Sequence, residues 1–191
     1  MNSSRINRIG IFSGSFDPPH KGHIHISKIF LKKLKLKKLI WTVSKTNPLL
    51  KKKYYYSYKE RIILSKKISN NIKKIAVSNY DKKYSYQLIN LIQKKYKSYE
   101  IFFLIGSDNV KSFHKWKKFL QIINVCTLVV INRPGNYNAF KKSFFYKKYS
   151  KFMKKNLNNL KAIPQKTWIY INDKGKKISS SNIKNRLYKN K

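Results

Sequence analysis

Cysteine occurs once, at Cys126. One thiol excludes an intramolecular disulfide framework and a cysteine-based zinc cluster. Acids are almost as rare: 6 Asp+Glu stand against 45 Lys+Arg, for a formal net charge of +39. Alanine appears three times, glycine six and proline five. No run approaches the roughly 18 apolar residues of a membrane span; the longest, such as Ile101–Ile105 and Thr127–Ile131, have the length of core strands. Residues Met1 to Arg8 are polar and hold no apolar signal core. The expectation is a soluble cytoplasmic protein with no membrane contact.

A charge this large ordinarily signals disorder or a polyanionic partner. Disorder is disfavoured because Ile, Tyr, Phe and Leu run through the whole length. Hydrophobic residues make up 41% of the 191, enough to bury a core without covalent staples. The basic excess is 40 Lys to 5 Arg, and Lys, Asn, Ile and Tyr account for 97 of the 191 residues. All four use A/T-rich codons, so a coding bias explains lysine on every solvated surface. Nucleic-acid binders cluster their charge and lean on arginine. Contact with nucleic acid is therefore expected only non-specifically, through surface lysine. Oligomeric state is expected to be monomer or small homo-oligomer.

The same bias is informative in reverse, because disfavoured residues persist where something demands them. Gly14, Asp17, Pro18, Pro19, His20, Gly22, His23 and His25 crowd into twelve positions. Gly106 lies beside Asp108, and Pro134 beside Gly135.

Hydrophobic patterning predicts strands at 8–13, 38–44, 73–78, 100–105, 125–131 and 167–172. Helices are predicted from His23 to about Lys37, over 57–69 with a Ser57/Glu60 capping box, from Ser85 to about Lys97, over 108–123 in one or two pieces, across 140–161, and after Ser179–Ser181. Strands that alternate with helices and read as continuous apolar runs indicate a parallel sheet covered on both faces. The fold expected is α/β, a Rossmann-like doubly wound parallel sheet with a small C-terminal helical part. It forms a single domain, 1–191, with 136–161 as a peripheral helical excursion. Ligands in such folds bind at the carboxyl ends of the strands, which is where the crowded segments fall.

The segment Gly14-Ser15-Phe16-Asp17-Pro18-Pro19-His20-Lys21-Gly22-His23 joins the first strand to the first helix. Gly14 permits a tight turn and close backbone approach. At a helix entry, unpaired N–H groups and the positive dipole end form a ready phosphate site, to which two imidazoles add donors. Metal ligation is disfavoured, because His20, His23 and His25 have only Asp17 as a nearby acidic helper.

This string resembles the Gly-x-Phe-Asp-Pro-x-His-x-Gly-His signature of the nucleotidyltransferases with a His-x-Gly-His motif. More closely, the chain resembles the bacterial nicotinate-nucleotide adenylyltransferases from Ile9 to about Leu187. Trp41-Thr42-Val43-Ser44 with Asn47-Pro48-Leu49 resembles that family's second-strand loop. Tyr84-Ser85-Tyr86-Gln87-Leu88 resembles its Tyr-Thr-x-x-Thr-Leu. Gly106-Ser107-Asp108-Asn109 with Phe113-x-x-Trp116 resembles Gly-x-Asp-Asn…Phe-x-x-Trp. Arg133-Pro134-Gly135 matches Arg-Pro-Gly, and Ile178-Ser179-Ser180-Ser181-x-Ile183-Lys184 resembles Ile-Ser-Ser-Thr-x-Ile-Arg.

The resemblance implies adenylyl transfer from ATP to nicotinate mononucleotide, giving deamido-NAD and pyrophosphate by in-line attack without a covalent intermediate. It implies His20 and His23 as catalytic contacts to the ATP phosphates. Gly14, Ser15, Phe16, Gly22, Gly106, Asp108, Ser179, Ser180, Ser181 and Lys184 are implied for ATP. Ser44, Ser85, Trp116, Arg133 and Lys51 are implied for the mononucleotide, with Mg2+ carried by ATP. Two departures stand out. Lys184 replaces an arginine, with Arg186 two residues on, and Leu50 shifts Lys51 by one position. Asp108 has an alternative role as the cap of the helix that follows it. Alternative readings are a sibling adenylyltransferase acting on nicotinamide mononucleotide or phosphopantetheine, and a basic nucleic-acid-binding protein on the same scaffold.

Overall fold

The computed structural model describes residues 7–46, 53–80, 82–132, 140–154, 166–173, 180 and 183–185. Seven strands form one sheet: β1 (Asn7–Gly14), β2 (Lys38–Val43), β3 (Ile75–Ser78), β4 (Tyr99–Gly106), β5 (Thr127–Ile131), β6 (Met153–Lys154) and β7 (Trp168–Ile171). Their order is β3-β2-β1-β4-β5-β7-β6, and every pairing is parallel. The chain winds outward one way from β1 and the other way from β4. The switch point, where such sheets open a crevice, lies between the carboxyl ends of these two strands.

Alternation along each strand divides the core. Phe12, Leu39, Trp41, Phe102, Leu104, Val129 and Ile169 face one way, toward α1 (Lys21–Lys33) and α2 (Tyr58–Ser69). Ile9, Ile11, Ile40, Ile101, Phe103, Leu128 and Val130 face the other, toward α3 (Ser85–Lys95), α4 (Ser107–Phe113), α5 (Phe119–Val125) and α6 (Phe144–Tyr149). Burial on both faces explains the unbroken apolar runs. Among the described residues no helix is long and apolar enough to cross a membrane.

Several boundaries differ from the sequence expectation. α1 stops at Lys33 rather than near Lys37 because Lys35 turns left-handed, at φ 50°. The Leu36 amide then donates to the Leu31 carbonyl, and the Lys35 amide to that of Lys32. This is a Schellman closure built without glycine. The 108–123 segment takes the two-piece form of its expectation, α4 and α5, with Lys118 left-handed at φ 55° between them. Of the helix expected across 140–161, the described part is helical at 140–141 and in α6. Ser143 caps it, Ser150–Phe152 tightens into a 3-10 turn, and β6 follows, adding a seventh strand to the six expected. Phe145 and Tyr149 pack inward, Phe145 lying 5.4 Å from the Trp168 ring.

Gly10 in mid-β1 sits under α1. A methyl group on its Cα would lie 2.6 Å from both Leu36 Cδ1 and Phe30 Cε1, and 2.9 Å from Leu39 Cδ1. All three neighbours are fully buried. Gly10→Ala should therefore cost about 1–3 kcal/mol through overpacking. Thermal melting reads this as a lower midpoint; an unchanged midpoint would show that α1 can lift off the sheet freely.

Candidate active site

β1 ends at Gly14, whose carbonyl accepts the Ser44 amide at 2.9 Å, joining the first two strand-end loops. Phe16 is left-handed at φ 48° and is 1% exposed. A bulky residue rarely adopts this conformation, and it persists where surrounding structure imposes it. Here the Phe16 ring stacks on Trp41, with centroids 4.8 Å apart and planes at 15°. The following Asp17–Pro18 peptide is cis.

His20 takes the N-cap position of α1, so the helix begins two residues earlier than the sequence suggested. The Gly22 amide donates to His20 Nδ1 and the His20 amide to His23 Nδ1, each at 3.1 Å. A backbone N–H can only donate, so both Nδ1 atoms are acceptors. A neutral ring in that state carries its proton on Nε2. Both imidazoles are thereby fixed as Nε2–H donors, their centroids 3.9 Å apart. His23 is 9% exposed and packs against Phe16 at 4.9 Å and Phe12 at 5.8 Å. The first turn of α1 holds no acid, while Lys32 and Lys33 occupy the last turn. The positive dipole end is thus left for an anion from outside the helix.

Asp17 is almost wholly buried. Its Oδ2 accepts from the Tyr55 amide at 2.9 Å and from Lys184 Nζ at 3.1 Å, and its Oδ1 accepts from the Tyr56 amide at 2.9 Å. Burial alone would raise the carboxyl pKa. The two amides and the Lys184 ammonium outweigh it and hold the group below its ordinary value. Ser180 Oγ donates to the Pro18 carbonyl at 3.0 Å. Two residues of the C-terminal motif, Ser180 and Lys184, therefore close directly on the first-strand loop. Lys184 meets that loop through Asp17.

Across the switch point, Gly106 ends β4 and is itself the cap residue of α4, with φ −76° and ψ 153°. This corrects the alternative role for Asp108, which sits second in α4 rather than at its cap. Ser85 is the first residue of α3, behind Tyr84, whose amide donates to Gln87 Oε1 at 3.2 Å. Gln87 thus has a capping role. Trp116 is half-buried, edge-on to Phe113 at 5.3 Å and Phe103 at 6.3 Å. Its Nε1 is buried without a hydrogen-bond partner among the described residues. Lys51, Arg133, Ser179, Ser181 and Arg186 lie outside the described residues.

Sequence reasoning missed Arg61, on α2. It is 1% exposed, and its guanidinium donates to four backbone carbonyls from the loops around the site. The signal existed: with 5 Arg in the chain, arginine is as disfavoured as glycine or histidine. His25 pairs with Asp173 just beyond β7, at 2.9 Å.

The model of the cytidylyltransferase-like family matches residues 11–186. A probable nicotinate-nucleotide adenylyltransferase of Pelagibacter ubique is 42% identical over 143 residues, covering 73% of this chain and 78% of the relative. One from Mesorhizobium japonicum is 29% identical and covers 92% of this chain and 93% of the relative. Among solved structures, the Plasmodium falciparum nicotinic acid mononucleotide adenylyltransferase complexed with NaAD shares the fold. Its TM-score is 0.67 at 20% identity, covering 95% of this chain and 84% of that one. The sequence matches thus make the chain a nucleotidyltransferase. The chain belongs to the cytidylyltransferase-like family and, within it, to the nicotinate-nucleotide adenylyltransferases.

Proposed function

We propose that this chain transfers the adenylyl group of ATP to nicotinate mononucleotide, giving deamido-NAD and pyrophosphate. The observation that carries the reading is the histidine pair at the entry of α1, both rings fixed as Nε2–H donors at a helix N-terminus whose first turn holds no acid. The acceptor's phosphate oxygen forms a bond to the α-phosphorus of ATP. The bond from that phosphorus to the bridging oxygen breaks, and its electron pair leaves with pyrophosphate. The nucleophile is already an anion, so the protein needs no general base. Its task is to hold two polyanions in line and to neutralise charge on the transferring group.

In this reading His20 and His23 donate to the ATP phosphates, and His23 bears more of the charge that develops in the transition state. Gly14, Ser15 and Phe16 shape the loop over the phosphates, while Gly106 and Asp108 receive the adenosine side from across the switch point. Ser85 and Trp116 form the nicotinate side, Trp116 by stacking on the ring. Among the described residues no three His, Cys, Asp or Glu side chains gather as a metal cage, and Asp17 is committed to Tyr55, Tyr56 and Lys184. In this reading magnesium enters as part of the ATP substrate, held by phosphate and water.

The test is product formation. ATP, magnesium and nicotinate mononucleotide should yield deamido-NAD and pyrophosphate one for one, with the dinucleotide identified by mass spectrometry. Pyrophosphate release that does not depend on the mononucleotide would refute the reading.

A further inference from the structure

Arg61 reaches from α2 into the space between the first two strand-end loops. Its Nη1 donates to the Ser15 carbonyl and to the Ser44 carbonyl, both at 2.7 Å. Nη2 donates to the Lys45 carbonyl at 3.3 Å, and Nε to the Tyr56 carbonyl at 3.2 Å. The guanidinium lies 4.0 Å from the centroid of the Tyr54 ring, with Tyr58 at 5.7 Å. Burial lowers its pKa, opposed by the nearby Tyr54, Asp17 and Tyr58. Arginine remains a cation in any protein setting.

A buried cation without a carboxylate of its own is costly, and a stability role alone would be met as well by an apolar side chain of that volume. What only a planar fork of donors can do is fix several carbonyls at set separations. One nitrogen of Arg61 bridges Ser15, on the loop that carries the histidine pair, and Ser44, on the loop after β2. Asp17 ties the same two loops from the opposite sense, accepting the amides of Tyr55 and Tyr56 next to the carbonyl that Arg61 holds. Carbonyls gathered on a cation and amides gathered on an anion form complementary clasps over one junction.

We infer that Arg61 is a positioning residue for adenylyl transfer: it sets the separation between the ATP-phosphate loop and the second-strand loop, so that donor and acceptor meet in line. This rests on the proposed function. Arg61 touches neither substrate in this account. Its loss should therefore fall on turnover rather than on affinity, because misplacement on the order of 1 Å costs about 100-fold in rate.

The test is Arg61→Lys, which keeps the charge and loses the fork. The expected result is a folded protein by circular dichroism, kcat lower by about 100-fold, and KM for ATP and mononucleotide each within a few-fold of wild type. A kcat near wild type, or a loss confined to KM, would overturn the inference. Should the lysine variant not fold, Tyr54→Leu keeps Arg61 but removes the ring beneath it. The same pattern at smaller amplitude is then expected, and an unchanged kcat overturns the inference there too. Each value is read against the wild type with whichever mononucleotide the wild type adenylylates. Failure of the nicotinate reading would show in the wild type itself and would leave the Arg61 comparison standing.

Discussion

Replacing His23 by alanine should lower kcat by about 10²–10³-fold, the usual consequence of removing one preorganised donor from a developing oxyanion. The expectation follows from how the ring is held. His23 Nδ1 accepts the His20 amide, which dictates a proton on Nε2 and makes the imidazole a fixed donor. Phe12 and Phe16 pack beside it and limit its rotation, so little reorganisation is needed during reaction. Ground-state ATP is still met by the helix N-terminus and by His20, so KM for ATP should move far less than kcat. The variant also loses an acceptor at the start of α1, with a modest drop in melting temperature. Steady-state kinetics with a parallel melt separates the two effects. A kcat within a few-fold of wild type would remove His23 from the chemistry.

The second large effect is on stability. Asp17→Asn should cost about 3–5 kcal/mol, the range for breaking a buried ionic cluster by removing one partner. An amide can accept from one of the Tyr55 and Tyr56 amides. With the oxygen toward the Tyr55 amide and Lys184 the NH2 group faces the Tyr56 amide, and turned the other way it faces both the Tyr55 amide and the Lys184 ammonium; either orientation sets donor against donor and removes the negative charge opposite Lys184. Asp17 titrates below its ordinary value in the folded chain, against 3.8 as reference for the unfolded one. A depressed carboxyl contributes its full stability above the unfolded pKa and loses it as pH falls through the folded one. The gap between wild type and Asp17→Asn should therefore be complete from pH 7 down to about pH 4 and narrow below that. Urea titrations at pH 7, 4 and 3 measure it. Equal stability of the two proteins at pH 7 would contradict the assignment of Asp17 as the hub joining the first-strand loop, the approach to α2 and the C-terminal segment.

Much of this was readable from residue patterns. β1, β2, β4 and β5 are buried on both faces, so their apolar runs announced a parallel sheet, and the rarity of glycine, histidine and acid located the crevice. The features that escaped have specific physical reasons. Lys35 and Lys118 take left-handed turns without glycine or asparagine, so the ends they impose on α1 and before α5 carry no punctuation. β6 is two residues long, too short for any period. The Asp17–Lys184 pair spans 167 positions, and nothing local to either residue points to the other. Arg61 lay inside a helix rich in charged side chains, where a cation reads as solvated surface; only its scarcity against 40 Lys marked it as demanded.

The acids show the same economy. Glu60 caps α2, Glu100 pairs with Arg8, Asp173 with His25, and Asp17 with Lys184. In a chain of net charge +39, these carboxylates sit at structural junctions, while lysine covers the surface and draws polyanionic substrates through its long-range field.

The central claim is tested most directly by kcat/KM for pyrophosphate release with ATP and magnesium. Nicotinate mononucleotide, nicotinamide mononucleotide and phosphopantetheine would be compared side by side. With Ser85 proposed to receive the ring carboxylate, the account predicts preference for the acid by at least about 100-fold. Equal or better turnover with either of the other acceptors would contradict it.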